Sequence, residues 1–105
     1  MQVGFEKPSV GALCNSGKRL MQAFGHDTAE KVQDLLHYLD AAPTLADLSR
    51  SPPVLRNQFS EQSPPLFTVG KSGKGQVLFR PYGYRKGQTL RDIDSIDVIS
   101  VGGSI

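Results

Sequence analysis

Residues 67–79 read FTVGKSGKGQVLF, and whether the central GKSGKG cradles a phosphate or turns a hairpin decides the fold. A P-loop places a glycine five residues ahead of its Gly-Lys-Ser, so that successive backbone N–H groups curl around the phosphates. Here that position is Pro65. The alternative frame, Gly70 to Gly75, has the right separation but continues into Gln76 and Val77, where lysine and a hydroxyl are needed. A phosphate loop also opens a helix, whose first N–H groups complete the anion site. Val77-Leu78-Phe79 is instead a β-rich run. Turn glycines between β-formers predict a hairpin, and no nucleotide cofactor.

Outward from that hairpin the pattern divides into helices before it and strands around it. MQVGFE reads as a short strand with Val3 and Phe5 on one face, and Pro8 suits the first turn of a helix carrying Val10, Leu13 and Cys14. Asn15-Ser16-Gly17 interrupts, KRLMQAF resumes helical spacing, and Gly25 stops it. Asp27 with Glu30 three residues on predicts a capping box opening a helix over 28–42, with Val32, Leu35, Leu36 and Leu39 as its buried stripe. Thr44 with Asp47 predicts one capped helical turn, and Ser51-Pro52-Pro53 predicts extended backbone. VLRNQF, LFTVG, GQVLFRP and SIDVISVG read as strands. The whole chain, 1–105, is expected to be one α+β domain with helices packed on one face of a mostly antiparallel sheet.

Composition narrows the function classes. With 105 residues and 38% hydrophobic content the chain suits one modest core. No run approaches the ~18 apolar residues of a membrane span. The N-terminus carries no signal-like apolar run, and Cys14 is the only cysteine, so a reducing cytoplasm is the expected setting. Cys14 itself reads as a small buried hydrophobe. Charge is segregated: residues 1–61 carry six basic and seven acidic side chains, and residues 62–91 carry Lys71, Lys74, Arg80, Arg85, Lys86 and Arg91 with no acid. Asp92, Asp94 and Asp97 follow. Such a block suits an anionic partner, or equally a solvated hairpin kept soluble by its charges.

His26, His37 and Cys14 lack the close spacing that makes a metal site specific, and no Gly-x-Ser-x-Gly elbow frames a nucleophile, so neither a metal nor a hydrolase triad is expected. PYGYRKGQ, residues 81–88, combines aromatics with bases and reads either as an RNA-contact loop or as an ordinary insertion between the last two strands.

Taken in order, LCNSGKRLMQAFG, AEKVQDLLHYLDAAPTLADLSRSPP, FTV, VLFRP and the closing IDVISVG resemble the RelE/ParE toxin superfamily, in particular its HigB-like plasmid-maintenance killer proteins. The most specific stretch is LDAAPTLADL with the following Pro-Pro. The resemblance implies a β-α-α-β-β-β-β toxin of a type II toxin–antitoxin system. It also implies a helix-turn-helix antitoxin as partner and cleavage of messenger RNA on the ribosome, with no cofactor.

The same resemblance locates the chemistry and shows where this chain departs from it. HigB-like proteins usually end in Asp-Tyr-His, and here Gly103, Ser104 and Ile105 stand in that register, none of them a general acid or base at neutral pH. An arginine of the family falls on Gln76, its upstream histidine falls at Arg56 or Asn57, and its Lys/Arg loop has become Ser63-Pro64-Pro65. Positioned cations can still stabilise a phosphorane. Arg56 and Arg80 are therefore the catalytic candidates, and Lys71, Lys74, Gln76, Tyr82, Tyr84, Arg85 and Lys86 the RNA-binding ones. The expectation is an mRNA interferase with a reduced active site. The alternatives are a non-catalytic ParE-like or antitoxin-binding member of the same fold, or an RNA-binding domain outside such systems.

Overall fold

A computed structural model describes residues 1–73 and 75–102. Within them the order is β1 (Gln2–Phe5), α1 (Pro8–Cys14), α2 (Gly17–Phe24), α3 (His26–Ala41), β2 (Asn57–Ser60), β3 (Leu66–Val69), β4 (Val77–Pro81) and β5 (Ser95–Val101), with 3₁₀ turns at Leu45–Asp47 and Leu90–Asp92. The five strands form one mixed sheet in the order β1-β5-β4-β3-β2. β1 runs parallel to β5 and every other neighbour is antiparallel. The parallel pair requires a long crossover between β1 and the later strands, and the three helices fall within it.

Phe67, Val69, Val77, Phe79, Ile96 and Val98 share the helix-side face of the sheet and meet Leu35 and Leu39 of α3 there. Phe67 and Phe79 are cross-strand partners whose rings stack at 6.0 Å. Leu20, Ala29 and Val32 make a smaller cluster where α2 crosses α3. On the opposite face Leu66, Leu78 and Arg80 are only half-buried. The α+β class and the hairpin over GKSGKG stand as expected: β3 and β4 pair antiparallel, and Gly70, Gly73 and Gly75 all have positive φ.

Several expectations are corrected. Three helices precede β2 where the resemblance implies two, because Ser16 caps a new helix by accepting a hydrogen bond from the Arg19 N–H at 3.2 Å. The third helix opens at His26 with Gly25 as its cap, and no side chain caps it. Gly25, at φ 85°, also ends α2, so the reversal between the helices takes the position ahead of Asp27. Asp27 lies instead in the first turn, where its charge favours the helix dipole. Leu36 is half-buried beside the buried Val32, Leu35 and Leu39.

The strand expected from Val54 begins only at Asn57. Leu55 turns through a φ of 51°, with its N–H donating to the Ser51 carbonyl at 3.0 Å. That bond closes the segment expected to be extended at Ser51-Pro52-Pro53 into a turn. The capped turn at Thr44 is present: its N–H and hydroxyl both donate to Asp47 Oδ2, at 3.0 and 2.8 Å.

Candidate nucleic-acid interface

β4 distributes the basic segment between its two ends. Lys71 is exposed at the hairpin turn, beside a groove of about 320 Å³ floored by Leu35, Pro52 and Leu55. Lys74 and the Gly103-Ser104-Ile105 terminus lie outside the described residues. At the far end of β4, Tyr82, Arg85 and Lys86 are exposed. A five-residue strand spans about 13 Å at ~3.3 Å per residue, so the charges contiguous in sequence form two patches in space.

The far patch is built by a closed turn. Tyr82 continues the ladder, its N–H donating to the Ser95 carbonyl at 2.9 Å. Gln88 then holds Arg85 twice: its Oε1 accepts from the Arg85 N–H at 2.8 Å, and its own N–H donates to the Arg85 carbonyl at 3.1 Å. Gly83 and Gly87, with φ of 67° and 93°, let the chain turn on either side. The result leaves Tyr82 68% exposed and, on the same loop, Arg85 and Lys86 exposed with no acid in ion-pair contact among the described residues. Tyr84 is half-buried and packs against the core.

The two arginines expected to act together sit on opposite faces of the sheet. Arg80 follows the core residue Phe79 and so faces away from the helices, where its Nη2 lies 3.9 Å from Glu6 Oε2 and Asp97 is its cross-strand neighbour. With Pro64, Tyr82 and Asp97 it lines a cleft of about 310 Å³. Arg56 is on the helix side, where its Nη1 donates to the Leu45 carbonyl at 3.0 Å. Burial, and then the charge of Arg50, lower the Arg56 pKa from its ordinary value. Arg50, Arg56, Asn57, Gln58, Phe67 and Leu90 enclose a cleft of about 230 Å³.

Gln76, expected among the RNA contacts, is nearly buried. It is 9% exposed, at the start of β4, where the Gly102 N–H donates to its carbonyl at 2.7 Å. Its Oε1 is buried with no hydrogen-bond partner among the described residues. Sequence reasoning also passed over Arg50, which joins Arg56 through the turn at Ser51–Val54. No group of three His, Cys, Asp or Glu side chains converges among the described residues, and no described helix is long and apolar enough to cross a membrane. Comparison of the chain with protein-family models, characterised proteins and solved structures finds no match.

Proposed function

We propose that the chain is a cytoplasmic RelE/ParE-type toxin of the HigB-like kind, which binds RNA through the 82–86 loop and is held by a helix-turn-helix antitoxin. The observation that carries the RNA reading is Tyr82, exposed beside the unpaired Arg85 and Lys86 on a turn closed by Gln88. An aromatic face stacks on any unpaired base while adjacent cations neutralise its phosphates. Binding to messenger RNA on the ribosome follows from the resemblance set out above.

Within that reading, separation of Arg56 from Arg80 favours a member with weak cleavage or none. Phosphodiester cleavage needs its donors converging on one phosphate, and these two guanidinium groups lie across the sheet from each other. The test is primer extension on a translated reporter, run with wild type, Arg56→Ala, Arg80→Ala and a variant carrying Asp-Tyr-His at 103–105. Weak or absent cleavage by wild type and recovery in the last variant support the proposal. Vigorous wild-type cleavage abolished by either arginine substitution would sink the reduced-site reading. Co-expression with the adjacent reading frame tests the partner: failure of its product to co-purify counts against the toxin–antitoxin assignment.

A further inference from the structure

β2 has a single neighbour, β3, so the outward backbone groups of Asn57–Ser60 have no partner in the sheet. Exposed edges are ordinarily blunted by shortness, a bulge, lysine, proline or an inward charge. β2 is short and bulged, but it holds no lysine, proline or inward charge and leaves Phe59 49% exposed. Beside it stand Arg50 and Arg56, two like charges sharing one cleft. Among the described residues the ion pairs are His26–Glu30 and Arg80–Glu6, so this arginine pair has no acid in contact.

A second copy of β2, laid antiparallel about a two-fold axis between Gln58 and Phe59, satisfies both features. Arg56 then faces Glu61 of the other copy, Asn57 faces Ser60, and Gln58 faces Phe59. Opposed residues of an antiparallel pair must point to the same face. Asn57 pairs with Thr68 and Ser60 with Leu66, so both point away from the helices, and the ladder shifts register between Gln58 and Ser60. In a regular strand residues three or five apart would point to opposite faces. The bulge between Gln58 and Ser60 removes that mismatch, and the alternation continued one residue past Ser60 would bring Glu61 to the helix side, where the Arg56 guanidinium lies against the Leu45 carbonyl.

We infer that β2 is a homodimer edge. Two copies join by antiparallel β2–β2 pairing into one continuous sheet, with Glu61 of each seated against Arg50 and Arg56 of the other. The charge pattern Arg-Asn-Gln-Phe-Ser-Glu over 56–61 is complementary to itself only in this direction. This dimer uses the β2 edge and not the 82–86 loop, and it shares Arg56 with the cleavage candidates.

Sedimentation equilibrium of the full chain over a concentration series tests it. Wild type should show a concentration-dependent dimer. Glu61→Arg sets like charges opposite each other at both ends of the pairing and should weaken association about tenfold or more. Arg50→Glu combined with Glu61→Arg should recover most of that loss. Arg50 and Glu61 are both exposed, so thermal melts of the variants should match wild type. Phe59→Lys, which puts a charge near the axis, should also give monomer. A wild type that is monomeric at every concentration, a Glu61→Arg variant that dimerises as well as wild type, or a double swap that recovers nothing overturns the inference.

Discussion

The Leu45 N–H donates to the Ile93 carbonyl at 2.9 Å, and that bond joins two turns built to one pattern. Thr44-Leu45-Ala46-Asp47 and Thr89-Leu90-Arg91-Asp92 each begin with a threonine whose N–H and hydroxyl both donate to the aspartate three residues on. Leu45 is fully buried and Leu90 half-buried against the same core. The paired turns therefore close the helix side of the sheet, and the Leu45 carbonyl accepts both from the Leu48 N–H and from Arg56.

The second turn carries a pH signature. The Thr89 N–H, and then its hydroxyl, stabilise the charged carboxylate of Asp92 and lower its pKa from the ordinary value. A depressed folded-state pKa contributes stability that is present above the unfolded value and lost as pH falls through the folded one. Asp92→Asn should therefore remove part of the acid-side loss of stability and leave the neutral-pH form slightly less stable. Melts of both proteins from neutral to acidic pH check this. Parallel curves would show that the Thr89 bonds do not persist in solution.

Threonine and aspartate at this spacing were legible for 44–47 and equally visible at 89–92. The second pair was passed over because its residues sit between a basic loop and a strand, where a polar run reads as connection. The sheet was legible because Phe67, Val69, Val77 and Phe79 alternate, and α3 because Val32, Leu35 and Leu39 repeat at helical spacing. What one dimension could not give was the side of the sheet on which each arginine emerges. Arg80 is fixed by its neighbour Phe79, but Arg56 follows the positive-φ Leu55, which no propensity anticipates.

Packing of α3 is tested by a matched pair. Leu39 is fully buried in the main core, while Leu36 is half-buried beside it. Leu39→Ala should destabilise by about 2–5 kcal/mol through lost burial and a residual cavity. Leu36→Ala should lose about 1–2 kcal/mol. Urea denaturation ranks them, and an equal loss at both positions would contradict the helix orientation described.

The hairpin glycines are not equivalent. A Cβ at Gly70, where φ is 92°, would lie 2.6 Å from Leu35 Cδ1 and 2.7 Å from the Gly75 carbonyl. At Gly73, φ 76°, it would meet no described atom within 4 Å. Gly73→Ala should therefore carry only the left-handed backbone penalty, roughly 1 kcal/mol. Gly70→Ala adds overpacking and should destabilise by about 2 kcal/mol or more. Thermal denaturation should separate the two variants clearly.

Cys14 should be a slow thiol. Half-burial pushes its pKa up to about 11 from 9.0. At pH 8 the thiolate, which is the reactive form, is then reduced about 100-fold relative to an unperturbed cysteine. The iodoacetamide rate measured against pH should still be climbing at pH 10. A midpoint near pH 9, with the rate levelling off by about pH 10, would place the thiol in water.

The 82–86 loop, proposed above to bind RNA, gives the sharpest separation of residues. Tyr82 is free to stack, Arg85 and Lys86 are free to neutralise phosphate, and Arg80 is already beside Glu6. In fluorescence-anisotropy titrations with a short single-stranded RNA, Tyr82→Ala should cost ~1–3 kcal/mol, or about 5- to 150-fold in Kd, with little change in salt dependence. Replacing Arg85 and Lys86 together by alanine should instead flatten the slope of log K against log salt by about 1.4, at ~0.7 per phosphate contact. Arg80→Ala should change either quantity less than these, because its charge is partly balanced in the folded protein. Equal losses from all four substitutions would mean that RNA spreads across the open face of the sheet, and the loop would no longer be the primary contact.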